Sequence, residues 1–213
     1  MAAGIALFDM DDTLVGANTA ALYFRQQRQA DTLSRRQAAR IALAFVGYRL
    51  NIVDMGRLIV QGAASAKGAS AQAMADACDQ LYHGHVKQLI LPKAIACLRD
   101  HQAKGRAVAI VTASTPYIAR LLAQDLAVPA LLCTELAVDA NGLFSGDLVG
   151  PPRFGEEKVQ RSETFAKQNG CTLQQAWFYT DSHSDLPLLR AVGHPHVVRP
   201  DLRLRMASHM RPG

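Results

Sequence analysis

Four short stretches of this sequence hold residue types that can do chemistry together. The first is Asp9-Met10-Asp11-Asp12-Thr13-Leu14. Two carboxylates two residues apart can share one hard cation, or one can attack an electrophile while the other carries protons. The second is Val111-Thr112-Ala113-Ser114, where a hydroxyl and free amides entering a helix can seat phosphate oxygens. Ser114 or Thr115 could equally be a plain helix cap. The third is Lys158, near the start of a helical pattern, where a cation works against the helix dipole. The fourth is Thr180-Asp181-Ser182-His183-Ser184-Asp185, whose two carboxylates could complete a site for a cation that takes oxygen ligands and few protein contacts.

The elements that must position these residues can be read from apolar periodicity. Residues 4–8 form a short apolar run that reads as a buried strand ending at Asp9, and residues 107–111, 131–134, 177–180 and, more weakly, 196–199 read the same way. Helical patterns lie between them. Residues 92–104 have Pro92 at the start and Gly105 just past the end. Residues 116–126 place Ile118, Leu121, Leu122 and Leu126 on one stripe. Residues 156–168 and 185–192 complete the set. Strands alternating with helices predict an α/β fold, a Rossmann-like three-layer arrangement with a parallel sheet covered on both faces. In such sheets ligands bind at the carboxyl edge, where all four stretches fall. Asp139-Ala140-Asn141-Gly142 reads as a hairpin tip in which Asn-Gly supplies positive φ angles.

Residues 17–89 break the alternation. They hold no convincing strand but several helical stretches, separated near Asp31, Asn51 and Gly68. The expected organisation is a core of residues 1–16 and 90–213, with an all-helical cap at 17–89 hinged near Gly16-Ala17 and Leu91-Pro92. In residues 41–50 the apolar positions spill beyond one stripe. That helix is either buried among its neighbours or turns Ile41, Phe45 and Tyr48 toward an apolar pocket or a membrane surface.

Composition excludes several classes. At 213 residues, with 49% apolar and 19% charged residues, the chain is an ordinary globular one and needs no disulfide or structural metal to fold. The most lipid-like run, Ile41 to Val46, is far short of a membrane span. No basic stretch followed by a cleavage site opens the sequence, and the four cysteines (Cys78, Cys97, Cys133, Cys171) form no CxxC pair, so a cytoplasmic protein with reduced thiols is expected. The net charge is +5, from 23 basic against 18 acidic residues, but the arginines are scattered. That pattern suits attraction of small anions rather than a nucleic-acid platform.

In this order, and at strand ends, the four stretches resemble the motifs of the haloacid dehalogenase superfamily of phosphohydrolases. Asp9-x-Asp11-x-Thr13 matches the first motif, Thr112 the second, Lys158 the third and Asp181-x-x-x-Asp185 the fourth. The helical insert between the first two is similar to that of the phosphoserine-phosphatase-like branch, and residues 110–114, 154–158 and 179–188 look most like a bacterial group within it. The resemblance implies a Mg²⁺-dependent phosphomonoesterase acting on a small phosphorylated metabolite through an aspartyl-phosphate. Asp9 would be the nucleophile and Asp11 the general acid and base. The ion would be held by Asp9, Asp11 through its backbone carbonyl, and Asp181, with Asp185 beside them. Thr112, the Ala113 amide and Lys158 would bind phosphate oxygens. A lipid-phosphate phosphatase, a phosphotransferase and an inert binding module are the alternatives; nucleic-acid binding is not expected, membrane-surface contact is not favoured, and the oligomeric state is open. Where phosphoserine phosphatases carry a substrate-binding glutamate, this chain has Asn18, and Ser184 replaces an asparagine of the last motif. His183 and Arg153 are candidates to face the substrate. His83 and His85 read as a polar hinge and Asp12 as a loop residue.

Overall fold

The computed structural model describes residues 4–30 and 55–209, together with Ala39, Leu43 and Gly47. Five parallel strands form the central sheet in the order β3-β2-β1-β6-β7. They are β1 (Ile5–Phe8), β2 (Ala107–Val111), β3 (Ala130–Leu132), β6 (Ala176–Thr180) and β7 (His194–Val197). β1 is apolar throughout because both its faces are covered and every residue is buried. It pairs with β2 and β6 at once, Phe8 lying level with Ile110 and Tyr179. Alternation then separates two cores: Ala6, Phe8, Val108 and Ile110 face one layer of helices, while Ile5, Leu7, Ala109 and Val111 face the other.

The first layer includes α4 (Pro92–Ala103) and α5 (Pro116–Asp125), each opening on proline in its first turn. The second includes α6 (Glu156–Gln168) and α7 (Leu186–Ala191), and α8 (Leu202–His209) closes the described chain. α7 begins later than the sequence suggests because His183–Asp185 forms a short 3₁₀ turn first. The last strand also differs: it is His194–Val197, not residues 196–199. Arg199 adopts φ 50°, a left-handed conformation that ends the extended run.

Between β1 and α4 the chain forms helices α1 (Thr19–Gln29), α2 (Met55–Ser65) and α3 (Ala71–Gly84), then a 3₁₀ turn at Val86–Leu89. The outgoing and returning segments pair, Gly16 N–H donating to the Leu89 carbonyl at 2.8 Å and Leu91 N–H to the Leu14 carbonyl at 2.9 Å. The buried Tyr82 of α3 donates its hydroxyl to Asp125 Oδ2 at 2.8 Å, which joins the insert to α5. The residues singled out for the apolar helix, Ile41, Phe45 and Tyr48, lie outside the described residues; within that stretch Leu43 is helical and 72% exposed.

The hairpin β4 (Leu136–Val138) and β5 (Phe144–Leu148) stands apart from the central sheet and bonds to the insert. Gly68 N–H donates to the Phe144 carbonyl at 2.8 Å, Phe144 N–H to Ala69 at 2.9 Å, and Ala71 N–H to Gly142 at 3.0 Å. Its tip differs from the expected Asn-Gly turn. Only Gly142 has positive φ there, at 76°, and the Asp139 carboxylate shapes the loop by accepting N–H bonds from Asn141 and Leu143, both at 2.9 Å.

Candidate active site

The centre of the site is an ion-paired triad at the carboxyl edge of β1 and β6. Asp9 follows β1, its N–H held by the Tyr179 carbonyl at 2.9 Å. Lys158, in the first turn of α6, donates from Nζ to Asp9 Oδ1 at 2.9 Å and lies 2.8 and 2.9 Å from the two oxygens of Asp185. Thr180 at the end of β6 donates its hydroxyl to Asp185 Oδ2 at 2.7 Å. Asp185 is fully buried and Lys158 nearly so. A cation there is unfavourable for the dipole of α6, yet Glu156 and Glu157 share its first turn and the two buried carboxylates surround the amine. Burial disfavours the charged amine, but Asp185 and Asp9 overcome that and raise its pKa.

Asp11 sits across the opening. Its Oδ1 accepts the Thr19 N–H of α1 at 3.1 Å, and Ser114 Oγ lies 3.5 Å from Oδ2. Thr112 ends β2, almost wholly buried, and its Oγ1 accepts the Ser114 N–H at 3.1 Å, so this turn is capped from within. Asp181 accepts the Thr13 hydroxyl at 3.2 Å. The structure therefore brings Asp9, Asp11, Thr112, Ala113, Lys158, Asp181 and Asp185 to one edge of the sheet.

Burial first, and crowding of carboxylates after it, raise their proton affinities. Asp9 is pushed up to about 8, chiefly by burial, with Lys158 opposing and Asp185 and Asp181 adding repulsion. Asp181 is raised to about 7 by burial and then by Asp12. Asp11 is raised to about 6 by burial, against hydrogen bonds from Thr19. A cation would relieve this repulsion. Among the described residues no three acidic, imidazole or thiol side chains form a ready-made cage. Asp185 is taken up by Lys158 and Thr180, which leaves the carboxylates of Asp9 and Asp181 and the Asp11 carbonyl. An all-oxygen set with two carboxylates fits a small hard cation that keeps waters and substrate oxygens as its other ligands.

The other candidates make contacts of their own. Arg153 does not face the opening: it is 7% exposed, its N–H binds Thr134 Oγ1 at 2.9 Å, and its Nη1 donates to the Pro151 carbonyl at 2.8 Å and Glu157 Oε1 at 3.1 Å. Asn18 caps α1, accepting the Ala21 N–H at 2.9 Å. His83 pairs with Asp79 on its own helix at 3.5 Å, and His85 ends that helix. His183 is fixed through its backbone N–H, which donates to Asp201 Oδ2 at 3.0 Å, and Ser184 shares a 2.8 Å hydroxyl contact with Ser182. Sequence reading gives no role to Thr19 or Asp201 and names Thr180 only as the start of the fourth stretch. Only Asp201 carried a signal, as an acidic cap after Pro200 and before Leu202-Arg203-Leu204.

With this fold and this edge in view, comparison with known proteins places the chain. The haloacid dehalogenase-like hydrolase family matches residues 6–190, and the chain belongs to that family. It is 28% identical over 213 residues to the phosphoserine phosphatase SerB1 of Mycobacterium tuberculosis, covering 97% of this chain and 68% of that one. It is 23% identical over 204 residues to a histidinol-phosphatase of Neisseria meningitidis, covering 94% and 92%. The solved structure of a protein of unknown function from Bordetella pertussis Tohama I shares the fold, with a TM-score of 0.85 at 24% identity, covering 96% of this chain and 94% of that one. The family is one of hydrolases, and both of these curated relatives are named as phosphatases.

Proposed function

We propose that the protein hydrolyses small phosphate monoesters in two steps, with Asp9 as nucleophile and Mg²⁺ as the cation. The observation that carries this reading is Lys158 Nζ held between Asp9 and Asp185 at 2.9 Å from each, at the edge where Thr112 and Asp11 also lie. That amine fixes the attacking carboxylate and leaves a positive charge where phosphoryl oxygens would sit. The chemistry of the ion, when bound, is to neutralise charge on the phosphoryl group so that a carboxylate can approach it. Asp9, Asp181 and the Asp11 carbonyl would hold it.

In the first step an Asp9 oxygen forms a bond to phosphorus, and the ester oxygen leaves with its electron pair and takes a proton from Asp11. The raised pKa of Asp11 suits that role, since burial keeps part of the population protonated near neutrality. In the second step the Asp11 carboxylate removes a proton from water, the water oxygen bonds to phosphorus, and the bond to Asp9 breaks. Thr112, the Ala113 amide and Lys158 bind the non-reacting oxygens throughout. A glutamate-like contact to a substrate amine is absent at Asn18, which caps a helix instead, so phosphoserine is not the favoured substrate. Phosphate release from a panel of phosphorylated metabolites with Mg²⁺, abolished by EDTA and restored by Mg²⁺, tests the reading; no release from any member would contradict it.

A further inference from the structure

We infer that Asp201 is a positioning residue that holds the 181–183 loop so that Asp181 faces the cation. The inference rests on the proposed function, and it concerns a residue outside the four motif stretches. The chain leaves β7 at Val197, and Val198 N–H still donates to the Thr180 carbonyl at 2.9 Å. Arg199 then turns with φ 50°, a left-handed conformation that a non-glycine residue adopts only at a cost. Such strain persists where surrounding contacts fix it. Here the turn brings Asp201 back over the loop that follows β6.

Three of the hydrogen bonds Asp201 makes from that position bear on the loop and its anchor. Its N–H donates to the Asp181 carbonyl at 2.9 Å. Its Oδ2 accepts the His183 N–H at 3.0 Å, and its Oδ1 accepts the Leu204 N–H at 2.7 Å in the first turn of α8. One carboxylate therefore ties the loop to the first turn of α8. On the loop's inner side, Ser182 N–H donates to Thr180 Oγ1 at 3.1 Å and Thr13 holds the Asp181 carboxylate. The loop is thus held from two directions, by Thr13 and Thr180 on one side and by Asp201 on the other. Partners that orient a metal ligand commonly set affinity as strongly as the ligand itself.

Three variants separate this role from simple capping of α8. Asp201→Ser still accepts the Leu204 N–H as a helix cap but is too short to hold His183 N–H at the same time. Asp201→Asn keeps the length of the side chain and one acceptor oxygen, and Asp201→Ala removes both bonds. Mg²⁺ binding to the substrate-free protein is measured by calorimetry, with thermal unfolding in EDTA alongside. The Ser variant should unfold like wild type yet bind Mg²⁺ about tenfold more weakly, with Asn intermediate and Ala as weak as Ser. At saturating Mg²⁺ the KM of the Ser variant should match wild type. A Ser variant that binds Mg²⁺ as wild type does, or an Ala variant that loses stability with no change in Mg²⁺ affinity, would overturn the positioning role. If wild type binds Mg²⁺ but releases no phosphate, the proposed function fails while this role stands; if wild type binds no Mg²⁺, both fail.

Discussion

At the scale of single residues, the site works by distributing four carboxylates among different neighbours. Asp185 binds Lys158 and Thr180, which orients the amine. Asp9 shares that amine, and Asp11 is kept apart by the backbone of Thr19. In the proposed mechanism, the rise of Asp11 to about 6 by burial suits an acid in one step and a base in the next near neutral pH. The account therefore expects Asp11→Asn to slow hydrolysis in proportion to the basicity of the leaving group. Alkyl phosphates should lose roughly a hundredfold or more in rate of aspartate phosphorylation, and p-nitrophenyl phosphate much less, because an activated alcohol needs no proton. Single-turnover rates on the two substrates check this; equal losses would remove Asp11 from the acid role.

At the scale of elements, the strand ends and helix starts that deliver these residues were legible in the sequence. The reason is local: a short run such as Ile5–Phe8, stopped at once by Asp9, reads as a strand buried on both faces, and Pro92, Gly105 and Pro116 punctuate helices by their backbone constraints. What was not legible depends on contacts distant in sequence. Nothing in residues 136–148 says that the hairpin bonds to the Gly68–Ala71 segment of the insert. Nothing around Arg153 says that Thr134, Pro151 and Glu157 will surround its backbone and guanidinium. The end of β7 was misplaced because the left-handed Arg199 has a side chain that gives no hint of it. Close approach of one element to another also sets a stability prediction. Gly193 joins α7 to β7, and a Cβ there would collide with the Gln174 carbonyl oxygen. Gly193→Ala should cost about 3 kcal/mol, because backbone must shift to admit the methyl group. Urea unfolding measures it; a midpoint equal to wild type would mean the turn is not packed as described.

Across the whole molecule, burial of ionisable groups makes stability depend on pH in two opposing ways. His101 lies 3% exposed between the Tyr179 hydroxyl at 2.9 Å and Arg106 Nη1 at 3.1 Å. Arg106 can only donate, so Nδ1 accepts and the ring is held neutral. Burial, with Arg106 adding to it, lowers its pKa to about 4 from 6.5. The folded protein thus binds this proton less readily than the unfolded chain. The stabilisation is complete above pH 6.5 and is lost as pH falls toward 4. Asp9 and Asp181, whose pKa values are raised, act in the other direction, because their folded forms take up protons more readily. Comparing wild type with His101→Gln isolates the histidine. The difference in Tm between them should be largest above pH 7 and shrink toward pH 4.5; a difference that does not vary with pH would show that His101 is not held neutral.

The measurement closest to the central claim is the identity of the residue that carries phosphate during turnover. Reacting the Mg²⁺-loaded protein with substrate, quenching in acid, reducing with borohydride and mapping peptides by mass spectrometry converts a phosphorylated aspartate to homoserine. The account predicts homoserine at Asp9, in a substrate-dependent amount, with no signal in Asp9→Asn, which should also lose at least about a hundredfold in turnover. Reduction at another residue, or full hydrolysis by Asp9→Asn without any trapped intermediate, would contradict it.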